Sequence, residues 1–398
     1  MARVAIIGPV YPYRAGIAYC TTRLAEEMAR DHEVAIISFS RQYPQRFYPG
    51  GEDIDPTLRD RSPAGARFIL DILNPLSWLK TANQLANERY DALIIVWWIW
   101  VWALPYLVII GRNRGRSRVI LQCHNVGEKE PAWWKRALTN RVLRRADVLV
   151  VHADSEAEEA RRRAPGVAVK KTFLPVHELG GDVPSREEAR GVMEIDRQAN
   201  VALSFGHVRP FKALDIALRA WRDAGGNALL LVAGEAWWNA AGEYVQLARE
   251  LGVEVVEHPR NFTPRDGGRP AVHFDFRFIP DAEVATWFAA SDVVLAPYRS
   301  EAQSGVALTA FHFGRPVIAS TVGGLPEVIE EGGNGMLVPP DDPAALATAI
   351  RAFFGAADRA KMEQAARDSA ARYSWEEYGS LFLDLVAQTA GARSPRRA

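Results

Sequence analysis

The sequence predicts an α/β protein built as two doubly wound domains, each a parallel sheet covered by helices on both faces. Three observations carry this expectation. The chain has 398 residues, more than one hydrophobic core usually supports, so two domains of ordinary size are expected. Short apolar runs alternate with helical stretches, the pattern of parallel strands joined by crossover helices. The alternation stops in a polar stretch containing Gly and Pro, near residues 177–200, and then restarts.

The first series opens with the strand "RVAIIG", the helical "GIAYCTTRLAEEMARD" and the strand "HEVAIISF". Residues 92–110, "ALIIVWWIWVWALPYLVII", follow as nineteen residues without a charge, ahead of the basic "GRNRGRSR". By length this run also suits a membrane span with a basic anchor. Pro105 and the β-branched and aromatic crowding of "LIIVWW" favour instead a buried strand running into a helix. Trp97, Trp98, Trp100 and Trp102 are then chiefly packing residues, the alternative being a groove for an apolar acceptor or contact with a membrane surface. "RVILQCH" and "DVLVVHA" are further strands, leading into the helical "KRALTNRVLRRA" and "SEAEEARRRA".

The second series begins at residue 201 with the strand "VALSFG" and the helical "ALDIALRAWRDA". "ALLLVAG", "EYVQLARELG" and "DVVLAPY" continue it. A short helix near Ser304, the strand "RPVIAS" and the helical "PAALATAIRAFF" close it. Ligands of open α/β sheets sit beyond the carboxyl ends of the strands, so the loops there are the place to look for chemistry. The tail "GARSPRRA" is expected to fray.

Composition removes several classes. The chain carries 48 basic and 48 acidic residues, so no overall field gathers nucleic acid. Two cysteines, Cys20 and Cys123, suit a reducing compartment and no disulfide framework. "MARVAIIGPVYP" is too short in its apolar run for a signal peptide and reads as the first strand. A cytoplasmic protein is expected. "GPVYPYRAG" lacks the G-x-G-x-x-G turn, and the second strand ends "IISFSRQ" without a ribose-binding carboxylate, which argues against a nicotinamide cofactor. No P-loop, zinc-spaced Cys/His cluster or G-x-S-x-G elbow occurs.

Three loops remain. In "SFGHVRPFKALDIALRAW", Gly206 ends a strand, and Arg209 and Lys212 precede a helix whose positive end would join them on one anion. Two solvated loop charges are the alternative. In "APYRSEAQSGVALTAF", Glu301 lies in the loop after a buried strand, and a helix starts near Ser304 and Gly305. Gly305 lets N–H groups approach a ligand, and the amides at 304–306 can donate to phosphate oxygens. Glu301 is too close to that site to bind the anion itself, and its natural role is to accept hydrogen bonds from adjacent sugar hydroxyls. The plainer alternative is a solvated or capping glutamate. His124 ends the strand "RVILQCH", where a side chain either enters a cleft or completes the core.

These motifs resemble glycosyltransferase family 4, whose members have the GT-B fold of two Rossmann-like domains facing a central cleft and transfer sugar with retention at the anomeric carbon. "FGHVRPFKALD" is similar to the family's diphosphate loop. "RFIPDAEVATWFAASDVVLAPYRSEAQSGVALTAFHFGRPVIAS" and the residues following it are similar to its donor block. The resemblance implies catalytic roles for Arg209, Lys212, Glu301 and His124. It implies donor contacts at Gly16, Gly206, Ile279, Gln303, Ser304, Gly305, Val306 and Thr309. Gly16 would lie near the donor phosphates, and His124 would contact the transferred sugar. Glu128 and Glu130 carry a weak acceptor signal. The family commonly has two glutamates eight positions apart; here the second position is Thr309, shorter and uncharged, which implies a weaker or differently made ribose contact. Gln303 and Ser304 replace the more usual Gly and Phe.

The expected organisation is an acceptor domain at 1–180, a donor domain at 181–370 and a C-terminal segment, 371–398, whose helix returns to the first domain. The expected reaction moves a sugar from a nucleoside diphosphate donor to an acceptor hydroxyl, with the nucleotide sugar as co-substrate and neither metal nor other cofactor. A lipid-linked acceptor and peripheral contact with the inner face of a membrane are compatible with the tryptophan-rich run. The rival readings are an epimerase or hydrolase on the same fold, or a silent nucleotide-sugar-binding module.

Overall fold

The computed structural model describes residues 1–14, 16–44, 53–127, 132–178, 183–225, 227–237, 240–264 and 267–392. It divides into two compact units, Met1–Pro175 with Tyr373–Ala398, and Val176–Arg372.

The first unit holds seven parallel strands: β1 (Arg3–Ile7), β2 (Glu33–Arg41), β3 (Arg67–Asp71), β4 (Ala92–Trp97), β5 (Arg118–Cys123), β6 (Val148–Val151) and β7 (Ala168–Lys171). Their order is β3-β2-β1-β4-β5-β6-β7. The helices between them are α1 (Gly16–Ala29), α2 (Pro75–Glu88), α3 (Ala103–Asn113), α4 (Trp133–Leu143) and α5 (Asp154–Arg163). Alternation along the strands divides the core. Ala5, Ile7, Leu93 and Ile95 pack under α2 to α5, with Leu85, Tyr106, Ile109 and Val142. Val4, Ile6, Ala92 and Ile94 pack under α1, with Leu24 and Met28. A central parallel strand buried on both faces must be apolar throughout, and all six residues of β4 are buried.

The uncharged run at 92–110 is thus β4, a 3-10 turn (Trp100–Trp102) and most of α3. No helix among the described residues is long and apolar enough to cross a membrane. Trp97 and Trp102 are fully buried. Trp98 is half-buried and donates its Nε1–H to Tyr43 Oη at 2.7 Å.

The second unit repeats the plan. Its strands are β8 (Asn200–Phe205), β9 (Ala228–Ala233), β10 (Glu254–Val256), β11 (Ala271–Asp275), β12 (Val293–Ala296), β13 (Val317–Ser320) and β14 (Gly335–Val338). They are all parallel, in the order β10-β11-β9-β8-β12-β13-β14. The helices are α6 (Arg186–Val192), α7 (Leu214–Trp221), α8 (Ala241–Glu250), α9 (Asp281–Ala290), α10 (Gly305–His312), α11 (Leu325–Val328), α12 (Pro343–Gly355) and α13 (Arg359–Ala371). α6 begins with a capping box between Ser185 and Glu188. It delivers the buried Arg190, whose Nη2–H bonds Asp292 Oδ2 at 3.0 Å and whose Nε–H bonds the Ala290 carbonyl at 3.0 Å. Asp292 also accepts from the Val201 amide at 2.8 Å, which fixes the start of β8.

The last helix, α14 (Trp375–Ala392), belongs to the first unit and packs on α1. Tyr378 and Phe382 complete the core on that side of the sheet. Arg118 donates to the Leu385 carbonyl at 2.9 Å.

Candidate functional site

The second unit brings the loop after β8 against the start of α10. Gly206 has φ +93°, a left-handed conformation that favours glycine, and a Cβ there would come within 3.6 Å of Val306 Cγ2. The next residues extend the sheet rather than hanging free. The Val208 N–H donates to the Glu235 carbonyl at 2.9 Å, and the Trp237 N–H returns to Val208 at 3.3 Å. A 3-10 turn, Pro210–Lys212, then closes with the Lys212 N–H on the Arg209 carbonyl at 2.9 Å.

This rigid loop presents two cations. The Arg209 guanidinium stacks 3.5 Å from the centroid of the Trp237 ring, a contact that holds its plane while leaving its edge able to donate. Lys212 Nζ lies 3.0 Å from Glu301 Oε2 and 3.8 Å from the Tyr298 ring centroid. Burial works against its charge, but Tyr298 and Glu301 outweigh burial, and its pKa is raised. Lys212 is therefore a fixed cation at neutral pH.

Glu301 is positioned from behind by a close backbone approach. Gly323, at φ +54°, passes so near that a Cβ would meet the Glu301 carbonyl oxygen at 1.6 Å. The Gly324 N–H then donates to the Ala302 carbonyl at 2.9 Å. Only glycine fits at 323.

At the start of α10, buried Ser304 caps the helix: its Oγ accepts from the Ala307 N–H at 3.3 Å. The Ser304 N–H donates to Gln303 Oε1 at 3.1 Å. Gly305 and Val306 occupy the first turn, where N–H groups have no acceptor within the helix. Thr309 is buried, and its hydroxyl donates to the Gly305 carbonyl at 2.8 Å. Ile279 is buried in the segment between β11 and α9.

Sequence reasoning missed the residue that joins the two loops. Arg299 forks onto Asp215, with Nη1 to Oδ1 at 2.9 Å and Nη2 to Oδ2 at 2.7 Å. Its Nη1 also reaches the Pro210 carbonyl at 2.8 Å, and its Nε reaches Asp341 Oδ1 at 2.6 Å. The Arg299 N–H bonds the Phe211 carbonyl at 2.8 Å. Four of these five bonds tie the segment carrying Glu301 to the turn carrying Lys212 and the helix that follows it, and the fifth reaches the loop before α12. The signal lay in the spacing: Arg299 is two residues before Glu301, and Asp215 three after Lys212. Trp237 was missed as well, since its partner Arg209 is distant in sequence.

His124 and Gly16 belong to the first unit. His124 follows β5, its N–H bonded to the Trp97 carbonyl at 2.8 Å. Its buried Nε2 has no hydrogen-bond partner among the described residues, and burial pushes the imidazole down to about 4. The ring lies 5.3 Å from that of His152, whose Nε2 meets Tyr378 Oη at 2.9 Å, while Gln122 donates to the same oxygen at 2.8 Å. Gly16 opens α1 exposed, and a Cβ there would meet nothing within 4 Å, so no contact within the chain demands a glycine. Glu128 and Glu130 lie outside the described residues.

Chemically, the second unit offers a fixed lysine, a stacked arginine, a carboxylate and two helix-start amides. Two doubly wound domains, with such a set beyond the strands of the second, define the GT-B class. Comparison with known proteins agrees. Residues 199–355 match the family model for glycosyl transferases group 1, and residues 15–177 match the model for a glycosyl transferase 4-like domain. The chain belongs to glycosyltransferase family 4. It is 32% identical over 267 residues to the D-inositol 3-phosphate glycosyltransferase of Saccharomonospora viridis, covering 63% of this chain and 58% of that protein. It is 26% identical to the protein of the same name from Corynebacterium diphtheriae, covering 89% of each. Among solved structures, HepE from Anabaena in complex with UDP and glucose superposes with a TM-score of 0.75 at 15% identity, over 98% of this chain and 100% of that one. WaaG, a glycosyltransferase involved in lipopolysaccharide biosynthesis, gives 0.67 at 18%, over 96% and 99%. At these identities the structural likeness concerns the fold.

Proposed function

We propose that the chain is a retaining glycosyltransferase that moves a sugar from a nucleoside diphosphate donor to an acceptor hydroxyl. The observation that carries this reading is the Lys212–Glu301 pair, 3.0 Å apart, on two loops that also carry Arg209 and lead into the first turn of α10. Breaking the bond between the anomeric carbon and phosphate builds negative charge on the diphosphate and positive charge on the sugar. Arg209, Lys212 and the amides of Gly305 and Val306 stabilise the leaving diphosphate as that charge grows. Glu301 accepts hydrogen bonds from the sugar hydroxyls. The acceptor hydroxyl attacks on the face from which the diphosphate departs, and its proton passes to the departing phosphate oxygen.

The UDP and glucose held by HepE support a uridine diphosphate sugar as the first donor to test. The name of the curated relatives supports a polyol phosphate among the acceptors, alongside lipid-linked hydroxyls. Two buried, unpaired cysteines, Cys20 and Cys123, support a cytoplasmic site of action. One observation favours a second reading, a binding module without turnover: Thr309 commits its hydroxyl proton to Gly305 and brings no carboxylate to the ribose. The test is release of nucleoside diphosphate from UDP-, GDP- and ADP-sugars, with and without inositol phosphates and lipid extracts. Acceptor-dependent release with one donor supports transfer. Nucleotide binding with silence across the panel supports the binding module.

A further inference from the structure

Nine large apolar side chains are exposed among the described residues, and six of them fall in one place: Leu73, Leu76 and Leu79 at α2, Leu104 at α3, and Trp133 and Trp134 at α4. These three helices lie side by side on one face of the first sheet. Each is a crossover helix that starts beyond the carboxyl end of a strand, so the six side chains share one rim of the first unit. Trp133 is 81% and Leu76 74% exposed. Such a cluster exceeds the scattered apolar residues of an ordinary surface.

Among the described residues of these three helices the charges are one-sided. Helix starts favour carboxylates, yet α2, α3 and α4 have none in their first turns. The three helices carry Lys80, Arg112, Lys135, Arg136 and Arg141 against the single carboxylate Glu88, which is paired with Arg67 at 2.8 Å. Asp71, just before α2, lies 3.6 Å from Arg41. Trp100 and Trp134 meet edge to face at 4.8 Å, and Lys135 Nζ stands 5.0 Å from one ring centroid and 5.7 Å from the other. Protein interfaces deplete charge at their centre. Here cations are interleaved with tryptophan and leucine, the arrangement that suits a boundary where rings sit at headgroup depth and cations meet anionic lipid.

We propose that this rim docks the chain on the surface of an anionic phospholipid bilayer, with Leu76, Leu104, Trp133 and Trp134 entering the interface and Lys80, Lys135 and Arg136 facing the headgroups. Docking is independent of sugar transfer and is measured without donor, so either proposal can fail alone.

The test is co-sedimentation of the full chain with phosphatidylcholine vesicles and with the same vesicles containing phosphatidylglycerol. Binding to the anionic vesicles is expected, weakened by salt. Leu104→Ser with Trp133→Ser is expected to lower partitioning on the order of tenfold, and Lys80→Glu or Arg136→Glu by about fivefold or more each. The thermal midpoint should not move, since every altered side chain is exposed. Absence of binding to anionic vesicles, or binding that these variants leave intact, overturns the proposal. So does a dimer that Trp133→Ser converts to monomer while vesicles are ignored, which assigns the rim to a second copy of the chain.

Discussion

Lys212 Nζ and Glu301 Oε2 stand 3.0 Å apart, joining the turn before α7 to the loop before α10. Without ligand each neutralises the other, so neither charge is left buried alone. In the proposed reaction, a bound diphosphate competes for the lysine and frees the carboxylate for sugar hydroxyls. Lys212→Ala is therefore expected to lower transfer on the order of a hundredfold or more, the usual scale for losing a group that stabilises charge in the transition state. Steady-state kinetics checks this, and near-normal turnover would reject the role of Lys212.

Arg299 positions that pair without touching substrate in this account. Arg299→Lys keeps the charge but loses the two-pronged bond to Asp215 and the reach to Asp341. Its expected effect is a fall in kcat of about tenfold or more, with the donor KM changing less, because misplacement by a fraction of an ångström is felt in the transition state. An unchanged kcat contradicts the positioning role.

Thr309 lies buried with its hydroxyl proton on Gly305. If threonine is only a weakened ribose contact, Thr309→Glu tightens nucleotide binding. The geometry favours the other outcome: a longer, charged side chain at a buried position displaces the first turn of α10, and affinity falls. Calorimetric titration with nucleoside diphosphates separates the two.

The paired imidazoles of the first unit give a pH dependence of stability. Burial pushes His124 down from the ordinary 6.5 to about 4 and His152 to about 3. As pH falls below 6.5 the unfolded chain takes up these protons while the folded chain does not. Stability is therefore lost progressively between about 6.5 and the folded values. The urea midpoint should decline over that window, and His124→Asn should flatten part of the slope. A midpoint constant from pH 7 down to about 4 contradicts this.

Much of the fold was legible because the inner strands are buried on both faces. β4 and β9 are buried at every position and read as unbroken apolar runs. The edge strands were not read: β3, β7, β10 and β14 are partly exposed and mix charges or glycine into short segments. β11, with His273 and Asp275, was missed for the same reason. At the site, Arg209, Lys212 and Glu301 stood out because cations before a helix and a lone carboxylate near a glycine are local patterns. Arg299 with Asp341 and Arg209 with Trp237 were not readable. Each joins residues far apart in sequence, and only the sheet order brings them together.

The most direct test of the central claim compares wild type, Arg209→Ala and Lys212→Ala with the donor that the panel selects, measuring nucleoside diphosphate release with and without acceptor and the anomeric configuration of the product. The expected result is release that requires acceptor, a product of unchanged configuration, and a loss of release on the order of a hundredfold or more in each variant. Release that ignores the acceptor, an inverted product, or variants as active as wild type would contradict it.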